Sequence, residues 1–261
     1  MVEAPSSTGS RSFSGRGAAT TPTTRTPITR IFVDSVLEPG GILRLPEEEA
    51  RHIRKVLRGR EGDAVEIVDA GRRLFAAELR GGGEAALLEA LSVPEGEDLE
   101  VSLYQAVPKG GRMDLVVEKA TEVGVTSIVP LLTERGVVSP RDGKLGRWRR
   151  VAEAAARQSL RLCVPAVLEP VDFREAVRRV GEGGVLLHNA SGLPRLEGVA
   201  GDPASLFVGP EGGWSEGEVR LAREAGLALA RLGPYRLRSE TAGIVAVARA
   251  RAELESRTRT S

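Results

Sequence analysis

Between Leu99 and Ala242, short apolar runs alternate with stretches whose apolar positions recur every three or four residues. The runs Leu99-Glu-Val-Ser-Leu-Tyr-Gln-Ala106, Ser127-Ile-Val-Pro-Leu-Leu132, Val185-Leu-Leu-His188, Ala204 to Val208 and Leu227 to Leu232 read as strands. The helical period predicts helices around Arg112 to Val123, with Met113, Val116, Val117 and Ala120 on one face, then over Arg147 to Arg161, Asp172 to Val180 and 215–225. A last helix is expected from Ser239, where Ile244, Val245, Val247 and Ala248 are apolar. Such alternation predicts an α/β domain whose parallel sheet is covered on both faces.

The preceding segment has a different texture. Arg30-Ile-Phe-Val-Asp34 and Ile42-Leu-Arg-Leu45 read as short strands, and Ala64 to Val68 with Leu74 to Leu79 as a hairpin. Between them, Pro46 to Arg58 has Ala50, Ile53, Val56 and Leu57 at helical spacing, with acids in its first turn and bases in its last. The exposed face of this helix carries Arg51, Arg54, Lys55 and Arg58, either a basic surface for a polyanion or a solvated helix face. Gly81 to Gly83 and the acidic stretch Pro94 to Asp98 close this small β-rich module and mark a linker. Residues 1–28 are rich in Ser, Thr, Gly and Pro, with Glu3 their only acid, and predict a disordered tail.

Composition narrows the class. The chain has 261 residues, 41% of them apolar, enough for one or two packed domains. No run reaches the roughly 18 apolar residues of a membrane helix, so a cytoplasmic protein with no membrane contact is expected. Cys163 is the single cysteine and His52 and His188 the two histidines, which leaves no set for a disulfide framework or a zinc site, and no metal is expected. A net charge of +1 argues against a uniformly basic surface, although 37 basic and 36 acidic residues leave room for patches.

The candidate chemistry lies in two loops with one grammar. Leu206-Phe-Val-Gly-Pro-Glu-Gly-Gly-Trp214 and Leu232-Gly-Pro-Tyr-Arg-Leu-Arg-Ser-Glu-Thr-Ala242 each run from an apolar strand through a Gly/Pro turn into a helix start. In open α/β sheets such loops lie side by side at the carboxyl ends of parallel strands, where small ligands bind. Gly209, Gly212 and Gly213 are expected to permit positive φ and close backbone approach, with Pro210 setting the entry. The alternative is a tight strand-to-helix turn and nothing more. Ser215 with Glu218 forms a capping-box pattern that starts the following helix.

The ordered set Pro108-Lys-Gly-Gly-Arg-Met-Asp114, Glu118 to Val125, Thr133-Glu-Arg135, Gln158-Ser-x-Arg161, Gly209-Pro-Glu-Gly-Gly213 and Leu237-Arg-Ser-Glu-Thr-Ala242 resembles the bacterial small-subunit (16S) rRNA uridine-N3 methyltransferase family, of the SPOUT or α/β-knot class. The resemblance covers about residues 29 to 255. It implies a PUA-like RNA-binding β-barrel over 29–93 and a SPOUT methyltransferase domain over 99–256. It also implies a deep trefoil knot, against the general rule that chains are unknotted, S-adenosylmethionine as donor, a homodimer, and 16S rRNA, within the small subunit or free, as substrate. Tyr235 and Ser239 depart from the family's basic residue and threonine, and Arg157 stands where a glutamate is usual.

On this resemblance the donor pocket is expected from Leu187, His188, Asn189, Gly209, Pro210, Glu211, Gly212, Gly213, Leu232, Gly233, Leu237, Thr241 and Ala242. Uridine N3 must lose its proton as the methyl arrives, so a cation near the ring oxygens would stabilise the transition state. Arg238 is the candidate for that role. Glu240 can orient Arg238, act as base or cap the last helix. Besides the basic face of 51–58, Lys109, Arg112, Arg135 and Arg161 are candidate RNA or interface contacts. His188 reads equally as a hydrogen-bonded structural residue, and Trp148 and Trp214 as packing residues. Two other readings remain: a SPOUT ribose 2′-O-methyltransferase and an RNA-binding protein with a degenerate knot.

Overall fold

The computed structural model describes residues 29–93, 96, 99–136 and 143–258. The expected tail, 1–28, and residues 94, 95, 97 and 98 of the expected linker lie outside these residues, while Gly81–Gly83, expected to close the module, instead turns the strand Leu74–Arg80 back onto the antiparallel strand Glu84–Leu91.

Two sheets organise the chain. The first is β1 (Arg30–Phe32), β2 (Ile42–Arg44), β3 (Ala64–Val68), β4 (Leu74–Arg80) and β5 (Glu84–Leu91), in the order β1-β3-β4-β5-β2. Alternation drives it: Val65 and Ile67 on β3, Phe75, Ala77 and Leu79 on β4, and Ala85 and Leu87 on β5 point into one core with Ile31, Ala50 and Ile53. Among the described residues no ladder joins β2 back to β1, so the expected barrel is open along that seam. The helix expected over 46–58 is shorter: α1 (Glu47–His52) passes into a π-helical turn, Ile53–Leu57, that ends at Arg58 in the left-handed region.

The second sheet is parallel throughout and has seven strands: β6 (Val101–Ala106), β7 (Ser127–Leu132), β8 (Ala166–Val167), β9 (Val171–Asp172), β10 (Gly184–Leu187), β11 (Ala204–Val208) and β12 (Ala228–Ala230). Their order is β12-β10-β11-β6-β7-β8, with β9 also on β7. Strand β11 fills the slot between β10 and β6, so the chain crosses past that slot before returning to fill it. Helices α2 (Met113–Glu122), α3 (Lys144–Gln158), α4 (Phe173–Val180), α5 (Glu216–Glu224) and α6 (Ser239–Thr258) cover the faces. Local signals set their starts: Asp172 accepts from the Arg174 amide at 2.8 Å to cap α4, and Ser215 and Glu218 close the capping box of α5.

Helix α6 packs inward on Gly243, Ala246, Val247, Ala250 and Leu254; of the four residues picked from sequence only Val247 is buried, while Ala248 is exposed. Gly243 allows this approach, because a Cβ there would run into the Gln105 amide on β6. None of the described helices is long and apolar enough to cross a membrane.

The two sheets meet at α3. Arg157 of α3 pairs with Glu49 of α1 and with its own neighbour Glu153. Buried Arg30 on β1 pairs with Glu66 at 2.5 Å and donates to the Leu160 carbonyl just past α3. Arg157, out of pattern in sequence, is therefore an inter-sheet anchor.

Candidate active site

Because β12, β10 and β11 are adjacent and parallel, the loops after them emerge side by side at one sheet edge. They enclose a cavity of about 320 Å³. Of the expected donor residues, Leu187, His188, Asn189, Gly209, Pro210, Glu211, Gly213, Leu232, Leu237 and Ala242 line it. Gly212, Gly233 and Thr241 are not among the lining residues. Gly212 faces the Arg135 side chain instead, its would-be Cβ lying 3.4 Å from that of Arg135.

The glycines differ in purpose. Only Gly213 of the three has positive φ, at 70°, and a Cβ there would meet no atom within 4 Å. Gly209 instead makes room for an indole: its Cβ would lie 3.0 Å from the Trp214 ring. Trp214 is buried, packs on Phe173 with ring centroids 4.8 Å apart, and donates from Nε1 to the Leu187 carbonyl at 2.9 Å. It is a packing residue that braces two of the loops, and Trp148 is likewise core.

Hydrogen bonds hold the Gly209–Gly213 loop from several sides. The Glu211 carboxylate accepts from the Lys109 amide at 3.0 Å, and its carbonyl accepts from Arg236 at 3.0 Å. Arg135 donates to the Gly212 carbonyl at 3.1 Å. Ser239 donates to the Gly209 carbonyl at 2.7 Å while accepting from the buried Gln105 amide at 2.9 Å. Glu218 completes its cap and also accepts from the Glu134 amide at 2.9 Å, so one carboxylate fixes two loops. His188 lines the cavity, and its Nδ1 accepts from the Ala190 amide at 2.9 Å.

Tyr235, Arg236 and Ser239 of the expected loop Leu232–Ala242 also line the cavity, as do Val208, Trp214 and Arg135, which the sequence does not mark for it. Tyr235 is 80% exposed at the mouth.

The proposed catalytic residues separate. Glu240 is buried in the first turn of α6, and its Oε1 lies 3.2 Å from Arg112 Nη1. Its Oε2 is buried without a hydrogen-bond partner. The cation beside Glu240 is thus Arg112, not Arg238 as the motif suggested. Arg238 is exposed, its carbonyl accepts the Ala242 amide at 2.8 Å, and it does not line the cavity. Arg161, expected as an RNA or interface contact, is instead 4% exposed and donates to the Thr121 and Val125 carbonyls, so it braces the turn after α2. Arg51, Arg54, Lys55, Arg58, Lys109, Arg112 and Arg135 are exposed.

Comparison with known proteins gives this arrangement a class. Residues 95–251 match the RNA methyltransferase domain family and residues 45–87 the RNA methyltransferase PUA domain family. Among relatives, ribosomal RNA small subunit methyltransferase E of Synechocystis is 35% identical, covering 81% of this chain and 73% of that protein. The protein of the same name from Mycobacterium tuberculosis is 33% identical, covering 83% and 88%. Two solved structures are similar: a putative methyltransferase from Legionella pneumophila in complex with the bound cofactor SAM, and a ribosomal RNA small subunit methyltransferase E from Neisseria gonorrhoeae bound to S-adenosyl methionine. Each is 30% identical; the first has a TM-score of 0.76 with 87% and 98% of the two chains covered, the second 0.75 with 84% and 95%. The chain belongs to the ribosomal RNA small subunit methyltransferase E family.

Proposed function

We propose that this protein transfers a methyl group from S-adenosylmethionine to N3 of a uridine in 16S rRNA. The observation that carries the reading is the cavity itself, closed by three loops from adjacent parallel strands in a chain of this family. The donor fits its lining: Leu187, Leu232, Leu237 and Ala242 offer an apolar wall, and the positive-φ Gly213 leaves open space where any other residue would project a side chain.

When bound, the donor supplies an electrophilic methyl carried on a sulfonium. The protein's task is then to bring the acceptor nitrogen into line and take care of its proton. Negative charge spreads onto the uracil oxygens as N3 is deprotonated, and exposed Arg238, beside the cavity loop, is proposed to stabilise it. Glu240, at the start of α6, holds Arg112 in place at the start of α2. Phosphate contacts are assigned to Arg51, Arg54, Lys55 and Arg58 on the first domain, 29–93, and to Lys109 and Arg135 on the second, 99–256.

Strand β11 returning between β10 and β6, with α6 packed against β6 and β11, supports threading of the last segment as a trefoil knot. A homodimer acting on rRNA in the cytoplasm completes the proposal.

The test is to incubate the protein with labelled donor and 16S rRNA or small subunits from cells lacking the activity, then digest and identify the product by mass spectrometry. Methyl on the uracil base is expected. Methyl on ribose would favour a 2′-O-methyltransferase, and none would favour a non-catalytic RNA-binding protein.

A further inference from the structure

Helix α3 ends in an unusual way. The Arg161 amide donates to the Ala156 carbonyl at 3.0 Å and the Leu160 amide to the Arg157 carbonyl at 3.3 Å, the paired bonds of a Schellman stop. That motif needs its C′ residue in the left-handed region. Helices α2 and α5 end in the same way and place Gly124 and Gly226 there, at φ 102° and 89°. Helix α3 places Leu160 there, at φ 55°. A leucine in this conformation is strained where glycine is not. The core does not explain it, because the Leu160 side chain is 49% exposed. Capture of the Leu160 carbonyl by Arg30 does not explain it either, since a glycine presents the same carbonyl.

The exposed side chain opens onto a cleft of about 570 Å³ between α3 and the first domain. Its apolar lining is Leu57, Ala154 and Leu160, and its polar lining includes His52, Arg150 and Gln158. Arg157 also reaches it but is neutralised by Glu49 and Glu153, whereas Arg150 has no carboxylate partner among the described residues. The rim continues into the helix bearing Arg51, Arg54 and Lys55, all exposed.

We propose that this cleft is a second RNA subsite, which takes one unpaired nucleotide of the substrate away from the methylation centre. Leu160 and Leu57 provide an apolar surface for the base, Gln158 can donate to and accept from a base edge, and Arg150 meets the phosphate. The ligand class rests on the RNA methyltransferase assignment; the site does not depend on which atom is methylated.

Leu160→Gly separates this role from a structural one, because glycine relieves the strained turn while deleting the contact. The measurement is the affinity of the full-length protein for a single-stranded oligoribonucleotide of about ten residues and for the same strand in a duplex. Melting temperature and donor affinity are recorded alongside. Leu160→Gly, and separately the double variant Arg150→Ala/Gln158→Ala, should weaken single-strand binding on the order of tenfold and reduce the preference for single strand over duplex. Donor affinity should not change, and the melting temperature of Leu160→Gly should not fall. Wild-type RNA affinity in both variants overturns the subsite. So does a marked loss of melting temperature in Leu160→Gly with unaltered RNA binding by the double variant, which makes Leu160 a packing residue. Failure of the wild-type protein to methylate rRNA would sink the proposed reaction yet leave this binding comparison decisive.

Discussion

Glu240 and Arg112 are 128 positions apart in sequence and 3.2 Å apart in space, and their pairing joins the start of α6 to the start of α2. The carboxylate is buried while the guanidinium is 42% exposed, so solvent screens the pair from one side. Removing Arg112 strands a buried charge, whereas Glu240→Gln removes that charge. Arg112→Met should therefore cost about 1 kcal/mol of stability after discounting for exposure, Glu240→Gln less, and the double variant less than the sum. Urea unfolding of the four proteins checks this; strict additivity would mean that the pair contributes nothing.

Gly213→Val tests the donor pocket. The wild-type φ of 70° is unfavourable for a β-branched residue, and the added side chain would enter the open space at the cavity wall. Donor affinity measured by calorimetry should fall at least tenfold, about 1.4 kcal/mol. An unchanged affinity in a folded variant would remove this loop from the donor site.

The basic face of α1 and its π-helical extension is expected to hold RNA through phosphates. Arg51 shares an exposed pair with Glu47 at 3.3 Å, and Arg54 donates to the Ala50 carbonyl at 3.1 Å, so neither is withdrawn from solvent. Replacing Arg51, Arg54 and Lys55 together by Ala should weaken RNA binding and flatten the dependence of log K on log salt by roughly 0.7 to 0.9 per lost contact. Donor binding should be untouched. A slope that stays the same identifies a solvated helix face.

Acid should loosen the first domain through Asp69. Burial alone would raise its pKa, but hydrogen bonds from the Arg73 amide and side chain and the Leu37 amide, with the Arg73 charge, lower it overall. A carboxyl whose folded pKa lies below its unfolded value of about 3.9 adds stability above that value and loses it as pH falls through the folded pKa. Replacing Asp69 by Asn should therefore lower stability at pH 7 and shrink the loss between neutral and strongly acid pH, as followed by denaturant melts. Parallel pH curves for the two proteins would contradict this.

What sequence could and could not reveal follows range. The capping box Ser215/Glu218 and the strand Ala204–Val208 were legible because they are local patterns. Strand β5, Glu-Ala-Ala-Leu-Leu-Glu-Ala-Leu over 84–91, carries no strand signature: its residues favour helix, and only pairing with β4 and β2 makes it a strand. The two loops share a grammar that puts them around one cleft, and they do line one cavity, but the placement of β11 between β10 and β6, which sets them side by side, comes from long-range pairing. Arg161 and Arg135 look alike as motif arginines, yet one is buried against backbone carbonyls and the other lies at the cavity, a distinction that only packing decides.

Arg238 carries the chemical part of the proposal. Charge develops on the uracil ring only as N3 loses its proton, so a cation aimed there stabilises the transition state more than the bound substrate. Its exposed side chain and its place just ahead of α6 leave it available to RNA, and among the described residues it has no ion-pair partner, in contrast to Arg112. Arg238→Ala should lower the single-turnover rate at saturating donor and RNA on the order of a hundredfold, with donor affinity preserved because Arg238 does not line the donor cavity. Lys should restore only part of the rate, since an ammonium lacks the planar two-pronged donor geometry of a guanidinium. If the single-turnover rate survives in Arg238→Ala while RNA affinity drops, Arg238 is a binding residue and the stabilising cation must be sought elsewhere, first at Arg112, whose guanidinium Glu240 already holds at the start of α6.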